Sequence, residues 1–248
     1  MKFGECTDIG RMRMANEDSY FTYMNAKLVG AMVADGMGGQ NAGEVASKMT
    51  TMIVKDCIIR KFSPNMNYVE CGEMIRRAFI EANEEILEYA RHHEEAQGMG
   101  TTASMGFIYN KKLITVHVGD SRVYTVTPDE IKQITTDHSY VQELIRRGEI
   151  TSEDARNHPQ KNIITRAIGT DPTLKVDLGI KDYNGETVFI CSDGLSNLVT
   201  DETIKDIINK NDDLQTAMVE LVELANKKGG NDNITCVAFN LDREEEDK

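Results

Sequence analysis

Residues 101–127 read TTASMGFIYNKKLITVHVGDSRVYTVT, and the fold class turns on how this stretch is parsed. Three runs, 101–109, 112–118 and 122–127, are rich in β-branched and aromatic residues. Only Asn110-Lys111 and Gly119-Asp120 mark the turns between them, too little chain for a helix. Strand therefore follows strand, as an antiparallel meander. A parallel sheet would need a crossover of about a dozen residues or more at each connection.

The same reading extends outward. Residues 3–8, 19–24 and 27–34 have strand character, the last two joined by a short Asn25-Ala26 turn. Residues 44–60 carry Val45, Met49, Met52 and Ile53 at helical spacing, and residues 69–93 do the same with Ile75, Ala78, Ala82 and Ile86. Residues 139–169 differ: mixed charge, two short helical stretches at 140–147 and 152–157, and His158-Pro159. They read as a flap inserted beside the sheets, because long irregular excursions tend to be functional or mobile. Strands return at 174–179, 186–192 and 234–241, with helices at 201–209 and 214–227. Antiparallel strands and helices in separate blocks predict an α+β sandwich, helices outside and sheets inside. Without repeats or a low-complexity linker, 1–241 reads as one domain and 242–248 as a charged tail.

Composition narrows the function. The chain has 248 residues, 40% hydrophobic and 28% charged, as expected of a soluble globular protein. No apolar run is long enough to span a bilayer, and MKFGECTDIG lacks the apolar core of a secretion signal. Cys6, Cys57, Cys71, Cys191 and Cys236 are odd in number and scattered, which predicts reduced thiols in a cytoplasmic protein. A net charge of -13 argues against nucleic acid and against anionic membranes as partners.

Four aspartates carry the chemistry. Asp35 in VADGMGG, Asp120 in HVGDSR and Asp193 in FICSDGL each follow a strand-like run, and Asp232 in GGNDNIT precedes one. Singly, each is an ordinary turn residue. Repeated at distant strand ends, they suggest carboxylates gathered in space, which stay ionised together only if cations neutralise them. Gly36 lets the chain turn and brings its carbonyl near the same ion. In RMANED, Arg13 offers a planar fork for phosphate oxygens, with Glu17 and Asp18 as acceptors for metal-bound water. Oxygen-only ligands favour Mn²⁺ or Mg²⁺ over Zn²⁺.

Together the segments TDIGRMRMANEDS, VADGMGGQNAGE, GTTA, HVGDSRVY, DHSYVQELIRRGEI, NIITRAIG, CSDGLSN and GGNDNIT resemble, in order, those of bacterial metal-dependent protein phosphatases of type 2C. The likeness runs from about residue 7 to 238. It implies a four-layer αββα sandwich, two central antiparallel sheets flanked by helices. It also implies a dinuclear Mn²⁺ or Mg²⁺ centre that hydrolyses phosphoserine and phosphothreonine in proteins. By the resemblance, Asp35 bridges both metals and the Gly36 carbonyl binds the second. Asp193 and Asp232 complete the first, Asp18 and Glu17 hold metal-bound water, and Asp120 joins Asp193 at a weaker third ion. Arg13 takes the phosphate, and residues 139–169 are the flap. The expected chemistry is attack of a hydroxide shared by two cations about 3.5–4 Å apart. Expected partners are phosphorylated proteins, including a Ser/Thr kinase and its substrates; a monomer is expected.

One departure stands out. Many relatives have a histidine in or just after the DGxGG turn, where this chain has Met37 and Gln40. A water on the third ion, or His138 or His158, would have to supply the leaving-group proton. Two rival readings compete with this one. Cys71 to Arg77 brings C-x5-R spacing at Cys71 and Arg77, but on a helix without the backbone donors of an anion loop. A catalytically silent phosphoprotein-binding domain would be expected to have lost carboxylates that this chain retains.

Overall fold

The computed structural model describes residues 2–39 and 42–241; Gln40 and the charged stretch 242–248 lie outside the described residues. In chain order the first half comprises β1 (Lys2–Asp8), β2 (Asp18–Met24), β3 (Leu28–Met37), α1 (Ala42–Lys61), α2 (Tyr68–His92), β4 (Gly100–Thr101), β5 (Ala103–Tyr109), β6 (Lys112–Val118) and β7 (Arg122–Val126). The second comprises β8 (Ile131–Gln133), α3 (Tyr140–Arg146), α4 (Ser152–Arg156), β9 (Asp177–Asp182), β10 (Thr187–Cys191), α5 (Asp193–Ser196), α6 (Asp201–Lys210), α7 (Leu214–Lys227) and β11 (Ile234–Asn240).

The strands form two antiparallel sheets, ordered β1-β11-β10-β7-β8 and β2-β3-β5-β6-β9, with β4 pairing β3. Alternation sorts their side chains into three cores. On β3, Leu28, Met32 and Ala34 meet α1 and α2, while Val29, Ala31 and Val33 face the other sheet. On β10, Val188 and Ile190 point between the sheets and Phe189 and Cys191 toward α5–α7. Central strands are thus apolar on both faces, which is why LVGAMVA reads as an unbroken run. The four layers are helices, sheet, sheet and helices, as expected.

The meander is not continuous. β5 and β6 pair through Tyr109↔Lys112, but β7 crosses to the other sheet and pairs β10 through Val123↔Ile190. The reason is that the free edge of β6 is taken by β9, with Ile114 opposite Ile180. The Gly119-Asp120 link is therefore a bridge between sheets, not a hairpin turn. Three smaller differences accompany it. The strand expected at 174–179 is β9, three residues later; its approach, Leu174 and Val176, packs on the helix-side core without joining the sheet. β8 is a three-residue strand with too little pattern to read. The run 101–109 breaks at Thr102, whose backbone and hydroxyl both turn toward Asp35.

Candidate metal centre

The layer between the sheets is apolar until its end, where alternation places acids. Asp35 continues the register of Val29, Ala31 and Val33 on β3. Asp18 lies directly across from it on β2, in the same register as Tyr20 of that layer. Thr235 on β11 and Ser192 after β10 continue their strands' inward rows. Ser192 Oγ donates to Asp18 Oδ2 at 2.9 Å and accepts from the Thr235 N–H at 3.0 Å.

Asp35 is locked by its backbone. Its N–H donates to Thr102 Oγ1 at 3.0 Å, and its carbonyl accepts from the Thr102 N–H and Thr101 Oγ1, both at 2.8 Å. The next residue, Gly36, donates to the Glu17 carbonyl at 3.1 Å. A Cβ on Gly36 would sit 2.1 Å from the Gly43 carbonyl, so α1 approaches this strand as only glycine permits. Asp193 opens α5, where a turn was expected, and accepts from Asn197 Nδ2 at 2.9 Å.

Arg13 donates to Asp232 Oδ2 at 2.8 Å, with its side chain half exposed. Its loop is pinned from the last turn. Asn233 Nδ2 donates to the Ile9 and Ala15 carbonyls at 2.9 Å, and the Gly230 carbonyl accepts from Arg11 and Met12. Thr102, Ser192 and Asn233 are the supporting residues that sequence reasoning passed over, although all three lie inside segments quoted for the resemblance.

Electrostatics follow from the crowding. Burial, with the charges of Asp193 and Asp232, pushes the Asp18 carboxyl up to about 7. Burial first, then Asp18, Asp193 and Asp120, holds Asp35 well above its usual range. Asp120 and Asp193 are raised for the same reasons. Asp18 Oδ1 and Asp120 Oδ1 are buried without any hydrogen-bond partner. An oxygen-only donor set, crowded negative charge and two orphaned carboxylate oxygens fit hard divalent cations. Among the described residues no three acidic, histidine or cysteine side chains are arranged to hold an ion on their own. The expected trio Asp35, Asp193 and Asp232 is gathered but not closed. Arg13 holds Asp232, and Asn197 Nδ2 holds Asp193.

A cleft of about 530 Å³ runs beside these acids, bounded by Asp120 and Asp193 on one side and by Ile145, Arg156 and Lys161 of the 139–169 segment on the other. That segment closes at its neck, with Ser139 bridged to Ile164 and Tyr140 donating to the Ile163 carbonyl.

The two histidines expected as proton donors differ in how far they are engaged. His138 is 6% exposed, and both ring nitrogens are engaged. His158 Nδ1 accepts from the Gln160 N–H at 3.1 Å in its turn. Cys71 is fully buried on α2, and burial pushes its thiol up to about 12, so it is not a nucleophile.

The protein phosphatase 2C family model matches residues 11–237. The chain belongs to this family. It is 38% identical over 233 residues to the serine/threonine phosphatase stp of Listeria innocua, covering 93% of this chain and 92% of that one. The structure of serine/threonine phosphatase Stp1 from Staphylococcus aureus superposes with a TM-score of 0.91 at 34% identity, covering 97% and 94% of the two chains. The catalytic domain of the phosphatase PstP, in complex with two manganese ions, superposes at 0.82 and 32% identity, covering 97% and 98%. The protein is therefore an enzyme, a metal-dependent protein phosphatase with an α+β fold.

Proposed function

We propose that this phosphatase hydrolyses phosphoserine and phosphothreonine monoesters on proteins at the acidic end of the inter-sheet layer. The observation that carries the reading is the cluster of aspartates, Asp18 and Asp120 buried and Asp35 and Asp193 half-buried, each raised by desolvation and neighbouring charge, with Arg13 alongside. Asp35 would bridge two Mn²⁺ or Mg²⁺ ions, the Gly36 carbonyl serving the second and Asp193 and Asp232 the first. Asp18 and Glu17 would orient water, and Asp120 would hold a weaker third ion. Bound cations supply a polarised water as nucleophile and offset charge on the phosphoryl group. Arg13 adds a planar fork to the equatorial oxygens. Ser192 and Thr235 hold Asp18 in place, and Thr101 and Thr102 hold Asp35.

Residues 139–169 act as the flap of a single domain spanning 1–241. No helix among the described residues is long and apolar enough to cross a membrane. We place the enzyme in the cytoplasm as a monomer acting on a Ser/Thr kinase and that kinase's substrates. A catalytically silent binding domain is disfavoured because every expected carboxylate is present. The test is metal dependence. EDTA should abolish turnover of a phosphothreonine peptide, Mn²⁺ should restore it, and Cys71→Ser should leave it intact. Activity that survives EDTA and is lost in Cys71→Ser would refute the assignment.

A further inference from the structure

The Gly119-Asp120 link bridges the two sheets and carries a buried carboxylate, so something must fix its conformation. Gly119 adopts φ +109°, and a Cβ there would lie 2.5 Å from Thr102 Cβ. Thr102 is itself joined to Ser121 by a 2.7 Å hydroxyl contact. One side of the link thus rests on the residue that locks Asp35.

The other side rests on His138. The Gly119 N–H donates to His138 Nδ1 at 3.0 Å, and the His138 N–H donates to the Gly119 carbonyl at 2.7 Å. Both polar backbone groups of one residue are therefore satisfied by another residue 19 positions away. With Nδ1 accepting, Nε2 carries the proton and donates to Asp177 Oδ2 at 3.1 Å; Arg166 Nη1, 3.1 Å from the same nitrogen, gives its own proton to Asp177 Oδ1 instead. Asp177 is in turn paired with Arg166 at 3.0 Å. The His138 carbonyl accepts from Thr165 at 2.8 Å, and His117 lies against the imidazole with ring centroids 4.7 Å apart. The residues that brace His138 from outside, Thr165 and Arg166, belong to the returning arm of the 139–169 segment.

We propose that His138 is a positioning residue: its Nδ1 fixes the Gly119-Asp120 link, and so the Asp120 carboxylate, against the base of the flap. The proposal rests on the reading of Asp120 as a ligand of the weakest cation. Groups that orient a metal ligand typically change affinity by about 10–100-fold when lost. The effect should be confined to one ion, since Asp35, Asp193 and Asp232 are held by other contacts.

The two ring nitrogens can be separated by substitution. In His138→Asn the amide oxygen takes the place of Nδ1 and retains the acceptor for Gly119. In His138→Gln the amide reaches the place of Nε2 and abandons it. Metal-free wild type, both variants, Asp120→Ala and Asp177→Ala would be titrated with Mn²⁺, reading free Mn²⁺ by electron paramagnetic resonance and melting temperature alongside. His138→Gln should weaken the weakest ion about tenfold or more and leave the two tighter ions unchanged. His138→Asn should stay near wild type. Asp177→Ala, at an exposed position that the fold tolerates, should weaken the same ion and no other. Equal loss in His138→Asn and His138→Gln, or full affinity in both His138→Gln and Asp177→Ala, would overturn the proposal. If Asp120→Ala itself leaves all Mn²⁺ binding unchanged, the assignment of Asp120 fails instead, and that arm identifies the failure separately.

Discussion

Asp35 sits where a hydrophobic row ends, and its neighbours are other acids. Replacing it with asparagine keeps the shape and the backbone bonds to Thr101 and Thr102 but removes the charge proposed to bridge the two cations. Asp35→Asn should reduce phosphopeptide turnover to background while the fold, measured by circular dichroism, is unchanged. Asp120 differs, since it occupies a link rather than a strand. Asp120→Ala should leave two ions bound and slow alkyl phosphates more than p-nitrophenyl phosphate, whose leaving group needs no proton. Steady-state rates on the two substrates, with Mn²⁺ counted by calorimetry, check this; loss of all bound metal would contradict it. The contrast sharpens because His138 is committed to Gly119 and Asp177.

Elements obey their edges. Gly30 of β3 would place a Cβ 2.4 Å from Phe107 Cβ on β5, so the two strands touch there as closely as backbones allow. Gly30→Ala should cost about 1–3 kcal/mol by overpacking. Thermal melting should fall while Mn²⁺ stoichiometry stays the same, because the site lies at the other end of the strand. Edges also decide what could be read from sequence. Central strands β3, β5, β6, β10 and β11 are apolar on both faces and were legible. β8 and β9 border solvent on one side, so DLGIKD carries little pattern. The crossing of β7 was illegible because only knowledge of β9 on the far edge of β6 excludes a meander. The candidate site was legible as recurring aspartates. Their supports, Thr102, Ser192 and Asn233, were not, since a threonine or serine that holds a carboxylate looks locally like any other strand residue.

At the scale of the whole molecule, the acids at the end of the sandwich oppose the stability of the metal-free protein. Their native pKa values are raised above those of the unfolded chain, to about 7 for Asp18. The native state then binds more protons than the unfolded state, and stability falls as pH rises through the native values. His117, which burial lowers to about 4, and His138, lowered by burial, act in the opposite sense, and only below the unfolded histidine value of about 6.5. The window is about pH 6.5 to 7.5, above the unfolded histidine value and below that of the unfolded thiols, about 8.5. There the metal-free melting temperature should drop with pH, and saturating Mn²⁺ should raise it and flatten the slope; a slope unchanged by Mn²⁺ would place the destabilising charge elsewhere. Metal uptake should also release protons into weakly buffered solution.

The pairing of β1 with β11, Lys2 opposite Asn240 and Asp8 opposite Ile234, has a consequence for how the protein is made. The two strands are separated by nearly the whole length of the chain, so this contact forms late in synthesis. Until residues 232–240 have emerged from the ribosome, β1 has no strand to pair with, Arg13 lacks Asp232, and its loop lacks Asn233 to pin it. A nascent or prematurely stopped chain therefore carries Asp18 and Asp35 but no assembled centre. A chain stopped before residue 232 should therefore show no phosphatase activity.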